Sequence, residues 1–339
     1  EDSSFLSLTQ PGWLEWDDPS LAHIPIEIDP PPIPEILDLI ANDVDDKVRQ
    51  LSELVDFVDL APELSDWWKS SSADGMVVPI GINTSGKHFN IQIGPSQDAF
   101  HILVGGRIGS GKSVFLHTLL LQLCTRYSWE ELEVYLLDFK EGVEFQIYAN
   151  HGLPHGRAVV IEAEREFGVS VLEYLVAEME KRGELFKKVG VNVRNIEDFR
   201  SISGEKLPRI LAIIDEFIVL FEEDDALANR AYEALLALAT RSRVFGIHLV
   251  LAAQRPVAAS FHNLNSIKSQ INLRVGFKVN EADDSILILG EGNDHAARLE
   301  RKGIAAITYE PSIRNKVEIV KVAYAKDEDR HLYLQSLSN

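Results

Sequence analysis

The sequence predicts an α/β fold in which a mostly parallel sheet is covered on both faces by helices, with an acidic, proline-rich and partly helical extension ahead of it. Three observations predict this. A glycine-rich loop separates an apolar run from a leucine-rich run at 100–127, strand-length apolar runs alternate with amphipathic stretches from residue 99 onward, and acidic residues and prolines crowd the first 75 positions. Such alternation needs crossover helices that bury the strands on both faces, which makes the sheet parallel. The 339 residues suit one large domain with an appendage, and 45% hydrophobic residues can build a full core, so disorder throughout is excluded.

Residues 1–34 hold seven prolines, with "DPPPIP" among them, and aromatic anchors at Phe5, Trp13 and Trp16. They read as an extended arm. From Pro34, the residues Ile36, Leu37, Ile40, Val44, Val48, Leu51 and Val55 fall at helical spacing with acids between them. That predicts one or two amphipathic helices, packed on the main domain or else presented to a partner. "WWKSSSADG" (67–75) reads as a linker, and "MVVPIGINTSGKHFNIQIG" (76–94) as a hairpin turning near "TSGK". The expected organisation is therefore an arm at 1–75, a main domain at 76–326 and a tail at 327–339.

Strand candidates follow in order: "FHILVG", "EVYLLDF", "GRAVVI", "RILAIID", "IHLVLAA" and "NLRVGFKV". Between them lie amphipathic stretches, notably "FGVSVLEYLVAEMEKRGELFKKVG" and "ANRAYEALLALATRSRVF". In such a sheet, ligands sit at the carboxyl ends of the strands.

The loop "GRIGSGKSV" carries the chemistry. Gly106, Gly111, Lys112 and Ser113 match G-x-x-x-x-G-K-[ST] behind a strand and ahead of a helix, the pattern that cradles phosphates in backbone N–H groups at a helix N-terminus. Gly106, Arg107, Ile108, Gly109, Ser110, Gly111, Lys112, Ser113 and Val114 are the expected nucleotide-binding residues, with ATP and Mg²⁺ as ligands. Lys112 would reach the β- and γ-phosphates, and the Ser113 hydroxyl would ligate Mg²⁺. "RILAIIDEF" ends a buried strand in Asp215, placed for Mg²⁺, and Glu216, placed as general base for an attacking water. Gln254 stands at the end of "IHLVLAA", where it can sense the γ-phosphate or simply cap the strand. Asp138 and Lys140 reach the same sheet edge. His248, inside a strand, reads as a packed core histidine, and no Cys/His cluster suggests a structural metal.

The net charge of −20 argues against nucleic acid only at face value. Residues 1–75 hold 18 acidic against 3 basic side chains, whereas 76–339 hold 35 against 30. One cysteine, Cys124, excludes a disulfide framework and favours a reducing, cytoplasmic compartment. No apolar run reaches membrane-spanning length, since "RILAIIDEFIVLF" is broken by Asp215 and Glu216. The start at Glu1 without Met suggests a piece of a longer chain with missing domains.

Taken in order, "GRIGSGKSVFLHTLL", "ILAIIDEF" and "RVFGIHLVLAAQRP" resemble the motor domain of the FtsK/SpoIIIE family, in the FtsK-HerA group of P-loop ATPases. "PIGINTSGKHFNIQIG" and "EMEKRGELFKKVGVNVRNIEDF" are similar to further family segments, so the resemblance covers about residues 77–325. It implies a RecA-like fold, a hexameric ring with ATP between subunits, and a polymer, double-stranded DNA in the best-known members, pulled through the pore. It also implies an arginine acting on a neighbour's site, for which Arg243, Arg241 and Arg274 are the candidates. A weak candidate for a pore loop is "HNLNSIKSQ" with Lys268. "DFKEGVEF" in place of "DPK" looks more like the type VII secretion ATPases, and Ile286 replaces an arginine in "ADDSIL". These departures suggest a specialised DNA motor, in mobile-element transfer or defence against foreign DNA, with protein translocation or a nucleotide-gated assembly scaffold as alternatives. The acidic arm would then act as a DNA mimic on the motor, or as a solvated tether.

Overall fold

The computed structural model describes residues 6–10, 13–16, 26–27, 54–139, 144–160, 164–254, 264–314 and 316–338. The chain divides into two compact units, Glu1–Ser52 and Glu53–Asn339. In the first, β1 (Leu6–Gln10), β2 (Trp13–Trp16) and β3 (Ile26–Glu27) pair antiparallel in that order. The expected extended arm therefore contains a small sheet, which the alternation in "LSLTQ" and "WLEW" supports. The helix expected from Pro34 lies outside the described residues up to residue 53. Beyond it, Phe57–Asp59 form a short 3₁₀ turn.

The second unit is built, in chain order, from β4 (Met76–Asn83), β5 (His88–Ile93), β6 (Ile102–Gly105), α1 (Lys112–Arg126), β7 (Leu132–Asp138), α2 (Gln146–His151), β8 (Gly156–Val160), α3 (Arg165–Val189), α4 (Ile196–Ser203), β9 (Arg209–Asp215), α5 (Ala226–Arg241), β10 (Ile247–Ala253), α6 (Leu264–Lys268), β11 (Leu273–Gly276), α7 (Ala282–Leu289), α8 (His295–Arg298), β12 (Ile304–Thr308), β13 (Glu318–Val322) and α9 (Asp327–Ser338). The strands form one sheet in the order β5-β4-β13-β12-β11-β6-β10-β9-β7-β8. From β11 to β8 every pairing is parallel. β12, β13, β4 and β5 extend it antiparallel. All six expected parallel strands and the hairpin are present, whereas β12 and β13 have no counterpart in the sequence reading.

The centre of the sheet is dry. All seven residues of β9 are buried, and they alternate between two cores: Leu211 and Ile213 pack with Phe115, Leu119 and Leu120 of α1, while Ile210, Ala212 and Ile214 pack with α3 and α5. Truncating such a side chain, as in Ile213→Ala, costs about 2–5 kcal/mol.

The division between units falls after Ser52 rather than after residue 75, because the serine-rich stretch is strapped to the core. Trp68 Nε1 donates to the Cys124 carbonyl at 3.0 Å, and Ser72 donates from N and Oγ to Glu131 Oε2 at 2.8 and 2.7 Å. The buried Arg209 guanidinium donates to the carbonyls of Ser72 and Ala73 and to Glu197. The expected tail is likewise docked, since α9 buries Leu334 and Leu337. Cys124 is a buried core thiol.

His248 is a core residue too, its Nδ1 at 2.9 Å from the Phe100 carbonyl. Burial pushes His101 and His155 down to about 4 and His248 well below the ordinary value. Between pH 6.5 and about 4, the unfolded chain therefore takes up protons that the folded chain does not, and stability falls toward acid by roughly 1.4 kcal/mol per pH unit for each such group. The melting temperature is expected to fall steadily from pH 6.5 to 4.5; thermal melts that stay level across that window would contradict neutral burial.

Candidate nucleotide site

The register of the parallel strands brings four carboxyl ends to one edge. Asp138 and Asp215 are paired neighbours on β7 and β9, Ala252 of β10 lies opposite Asp215, and Ala253 lies opposite Gly105 of β6. The expected phosphate loop leaves β6 at that edge and enters α1 at Lys112. Its backbone is pinned from three sides: Gly106 N–H donates to the Ala253 carbonyl, Arg107 N–H to Lys278, and Ser110 accepts from Gly303 N–H at 2.9 Å. Gly111 has φ +121°, and a Cβ there would lie 2.9 Å from Gly303 Cα, so glycine is required by conformation and by space. The loop lines a cavity of about 300 Å³ with Ile108, Gly109, Lys112, Ser113, Lys302 and Tyr324 on its wall.

Lys112 turns inward. Its ammonium sits 2.5 Å from Asp215 Oδ1 and 2.5 Å from Glu216 Oε1, with the lysine 5% and the aspartate 1% exposed. Glu216 holds a left-handed conformation, φ 55° and ψ 42°, which costs a non-glycine residue about 1–3 kcal/mol. That backbone turn ends β9 sharply, and the Glu216 carboxylate both meets Lys112 and accepts from Gln254 N–H at 3.2 Å. The strained carboxylate thus touches the phosphate-loop lysine and the end of β10.

Ser113 Oγ donates to Glu144 Oε1 at 2.7 Å, and Glu144 N–H donates to Asp138 Oδ2 at 3.2 Å. Glu144 and Lys302 are the site residues that sequence reasoning missed. Glu144 is one acid within "DFKEGVEF", and Lys302 precedes a strand that carries no strong sequence signal. Lys140 lies outside the described residues.

The donor set fits Mg²⁺. Ser113 and Asp215 offer hard oxygen atoms, and the two acids Asp215 and Glu216 share the single Lys112 ammonium at the strand end. Among the described residues, no group of three or more His, Cys, Asp or Glu side chains is placed to hold a metal ion.

The arginines part company. Arg274 of β11 is buried, and its guanidinium donates to the carbonyls of Ile271, Ile288 and Lys268 of the same chain. Each of its three nitrogens donates within the chain, and the side chain is buried rather than presented at the surface. Arg241 ends α5, and Arg243 lies in the 3₁₀ turn Ser242–Phe245, so both stand where β10 begins. Seven strand residues, on the order of 20 Å, separate them from the nucleotide edge. Arg243 is 54% exposed, 4.0 Å from Asp98 and 5.8 Å above the Phe100 ring centroid. Lys268 is buried at the end of α6, while residues 262 and 263 of the expected pore loop lie outside the described residues.

The FtsK/SpoIIIE family model matches residues 60–258. The chain belongs to the FtsK/SpoIIIE family. Curated relatives of this FtsK/SpoIIIE chain include the DNA translocase FtsK of Clostridium tetani, 34% identical over 234 residues that cover 68% of this chain and 30% of the relative. Another is the DNA translocase FtsK of Streptococcus agalactiae, 30% identical over 277 residues, covering 77% and 32%. The chain thus spans about a third of the length of these relatives. Among solved structures, the cytoplasmic domain of the Thermomonospora curvata type VII secretion ATPase EccC superposes with a TM-score of 0.71 at 24% identity, covering 84% of this chain and 34% of that one. The pCW3 conjugation coupling protein TcpA, in a monomer form with ATPγS, superposes with a TM-score of 0.63 at 27% identity, covering 82% and 73%. The RecA-like P-loop ATPase fold expected from the sequence is therefore the fold observed, with the antiparallel extension added. Among the described residues, no helix is long and apolar enough to cross a membrane.

Glu216→Gln keeps the side chain's shape and removes its basicity. Hydrolysis is expected to fall 10²–10⁴-fold with ATP binding retained. An ATPase assay beside an equilibrium binding titration checks this, and hydrolysis within tenfold of wild type would exclude Glu216 as the base.

Proposed function

We propose that this chain is an ATP-hydrolysing motor that works in a hexameric ring and translocates double-stranded DNA. The observation that carries hydrolysis is the Lys112 ammonium held between Asp215 and Glu216 beside a phosphate loop. While Lys112 is there, Glu216 Oε1 is engaged by the ammonium and is turned away from an attacking water. A triphosphate in the loop offers Lys112 a stronger anionic partner, and Glu216 is then free to take a proton from the attacking water. Ser113 and Asp215 would hold Mg²⁺, which when bound offsets phosphate charge. Gln254 reports on that event, since its backbone N–H rests on Glu216 Oε2.

Arg241 and Arg243 cannot serve their own site from the far end of β10. In a head-to-tail ring that edge meets the neighbour's nucleotide, so an arginine there completes the neighbour's site. Arg243, exposed and held loosely by Asp98, is the stronger candidate.

The choice of DNA rests on identities of 30–34% to curated DNA translocases, and on a main domain that is nearly neutral without its acidic arm. The likeness to the conjugation coupling protein spans 73% of that chain and favours a role in mobile-element transfer. A protein substrate is the second reading, favoured by "DFKEGVEF". Steady-state ATPase rates with and without linear double-stranded DNA separate the two, with Lys112→Ala as the blank. We expect stimulation of tenfold or more that falls as salt rises; basal hydrolysis unmoved by DNA at any salt would overturn the DNA reading.

A further inference from the structure

We infer that Glu144 is a positioning residue for the magnesium-ligating serine, set by a buried relay that runs through His117 to Tyr148. The inference rests on the nucleotide-site reading above and adds a residue that the phosphate-loop and strand-end motifs do not include.

Four side chains form the relay, Ser113, Glu144, His117 and Tyr148. Ser113 Oγ lies 2.7 Å from Glu144 Oε1. A carboxylate only accepts, so the serine proton points at Glu144, and the oxygen keeps its lone pairs for another ligand. The second carboxylate oxygen, Oε2, lies 3.4 Å from His117 Nε2, which must therefore carry a proton. Burial pulls the His117 imidazole below its ordinary value, and in the neutral ring with Nε2 protonated, Nδ1 is the acceptor. Tyr148 OH, 2.8 Å from that Nδ1, is then the donor. Tyr148 is fully buried and stacks on the imidazole at 5.6 Å between ring centroids.

Local structure makes this chain possible. Ser113 and His117 are four residues apart on α1 and share one face of the helix. Glu144 lies just ahead of α2, and its own N–H is anchored on Asp138 of β7. Tyr148 sits within α2, one turn beyond Glu144. Helix α1 thus meets the Glu144 carboxylate twice, β7 anchors its backbone N–H, and α2 supports His117 behind it. A hydroxyl that ligates a metal through its oxygen must send its proton elsewhere, and an anionic acceptor also raises the basicity of that oxygen. Partners of this kind commonly change metal affinity by 10- to 100-fold when removed.

The test measures binding rather than turnover. The full chain is titrated with Mg²⁺ at a fixed concentration of a fluorescent ATP analogue, as wild type, Glu144→Ala, Glu144→Gln and Tyr148→Phe. The Mg²⁺ concentration at half-maximal binding is expected to rise 10- to 100-fold in Glu144→Ala. In Glu144→Gln it should rise less, because the amide oxygen still accepts from Ser113. Tyr148→Phe, which leaves Glu144 in place but frees His117, should show a several-fold rise. Binding in EDTA should be equal in all four. A Glu144→Ala midpoint equal to wild type overturns the inference; should that variant fail to fold, unchanged midpoints in both Glu144→Gln and Tyr148→Phe do so instead. A wild-type chain that binds no nucleotide fails the site reading itself and the inference with it.

Discussion

The interaction on which the site depends is one ammonium shared by two carboxylates. Lys112 reaches Asp215 and Glu216 at 2.5 Å each from the first residue of α1. Two charges of one sign and one of the other, almost wholly out of water, are tolerable only with close contact and further hydrogen bonds. The fold supplies both. β9 is apolar from Ile210 to Ile214, so it can run through the centre of the sheet and deliver Asp215 at the depth of the lysine, and Glu216 turns left-handed so that its carboxylate returns to the same nitrogen. The strain at Glu216 is thus tied to a charge contact that a phosphate can displace.

A second constraint comes from the antiparallel half of the sheet. β12 begins beside Gly303, whose N–H binds the Ser110 carbonyl and whose Cα leaves no room for a side chain at Gly111. The phosphate loop is therefore buttressed by a segment nearly two hundred residues away. Lys302 stands on that segment at the cavity wall, so the extension both shapes the loop and adds a cation to its rim.

The parallel core was legible in the sequence because each strand is a continuous apolar run bounded by amphipathic stretches, and the loop motif located the site edge. β12 and β13 were not. "IAAIT" is dominated by small residues, and β13 begins half exposed, so neither stands out from its surroundings. The strap at 67–75 has a linker's composition, yet it is held by Glu131 and Arg209, 59 and 137 residues from Ser72. Composition is local, and those bonds are not. Glu144 was hidden for the same reason: its partners Ser113 and His117 come from another element. Arg274 resembled a free arginine in sequence, but its place on an inner strand commits its donors to carbonyls.

In the proposed motor, Lys112 is a lock on Glu216 that nucleotide opens. A structure of the chain with Mg²⁺ and a slowly hydrolysed ATP analogue tests it most directly. The Lys112 nitrogen should then hydrogen-bond to phosphate oxygens and lie beyond about 3.5 Å from Glu216. A bound triphosphate with Lys112 still resting on both Asp215 and Glu216 would contradict the account.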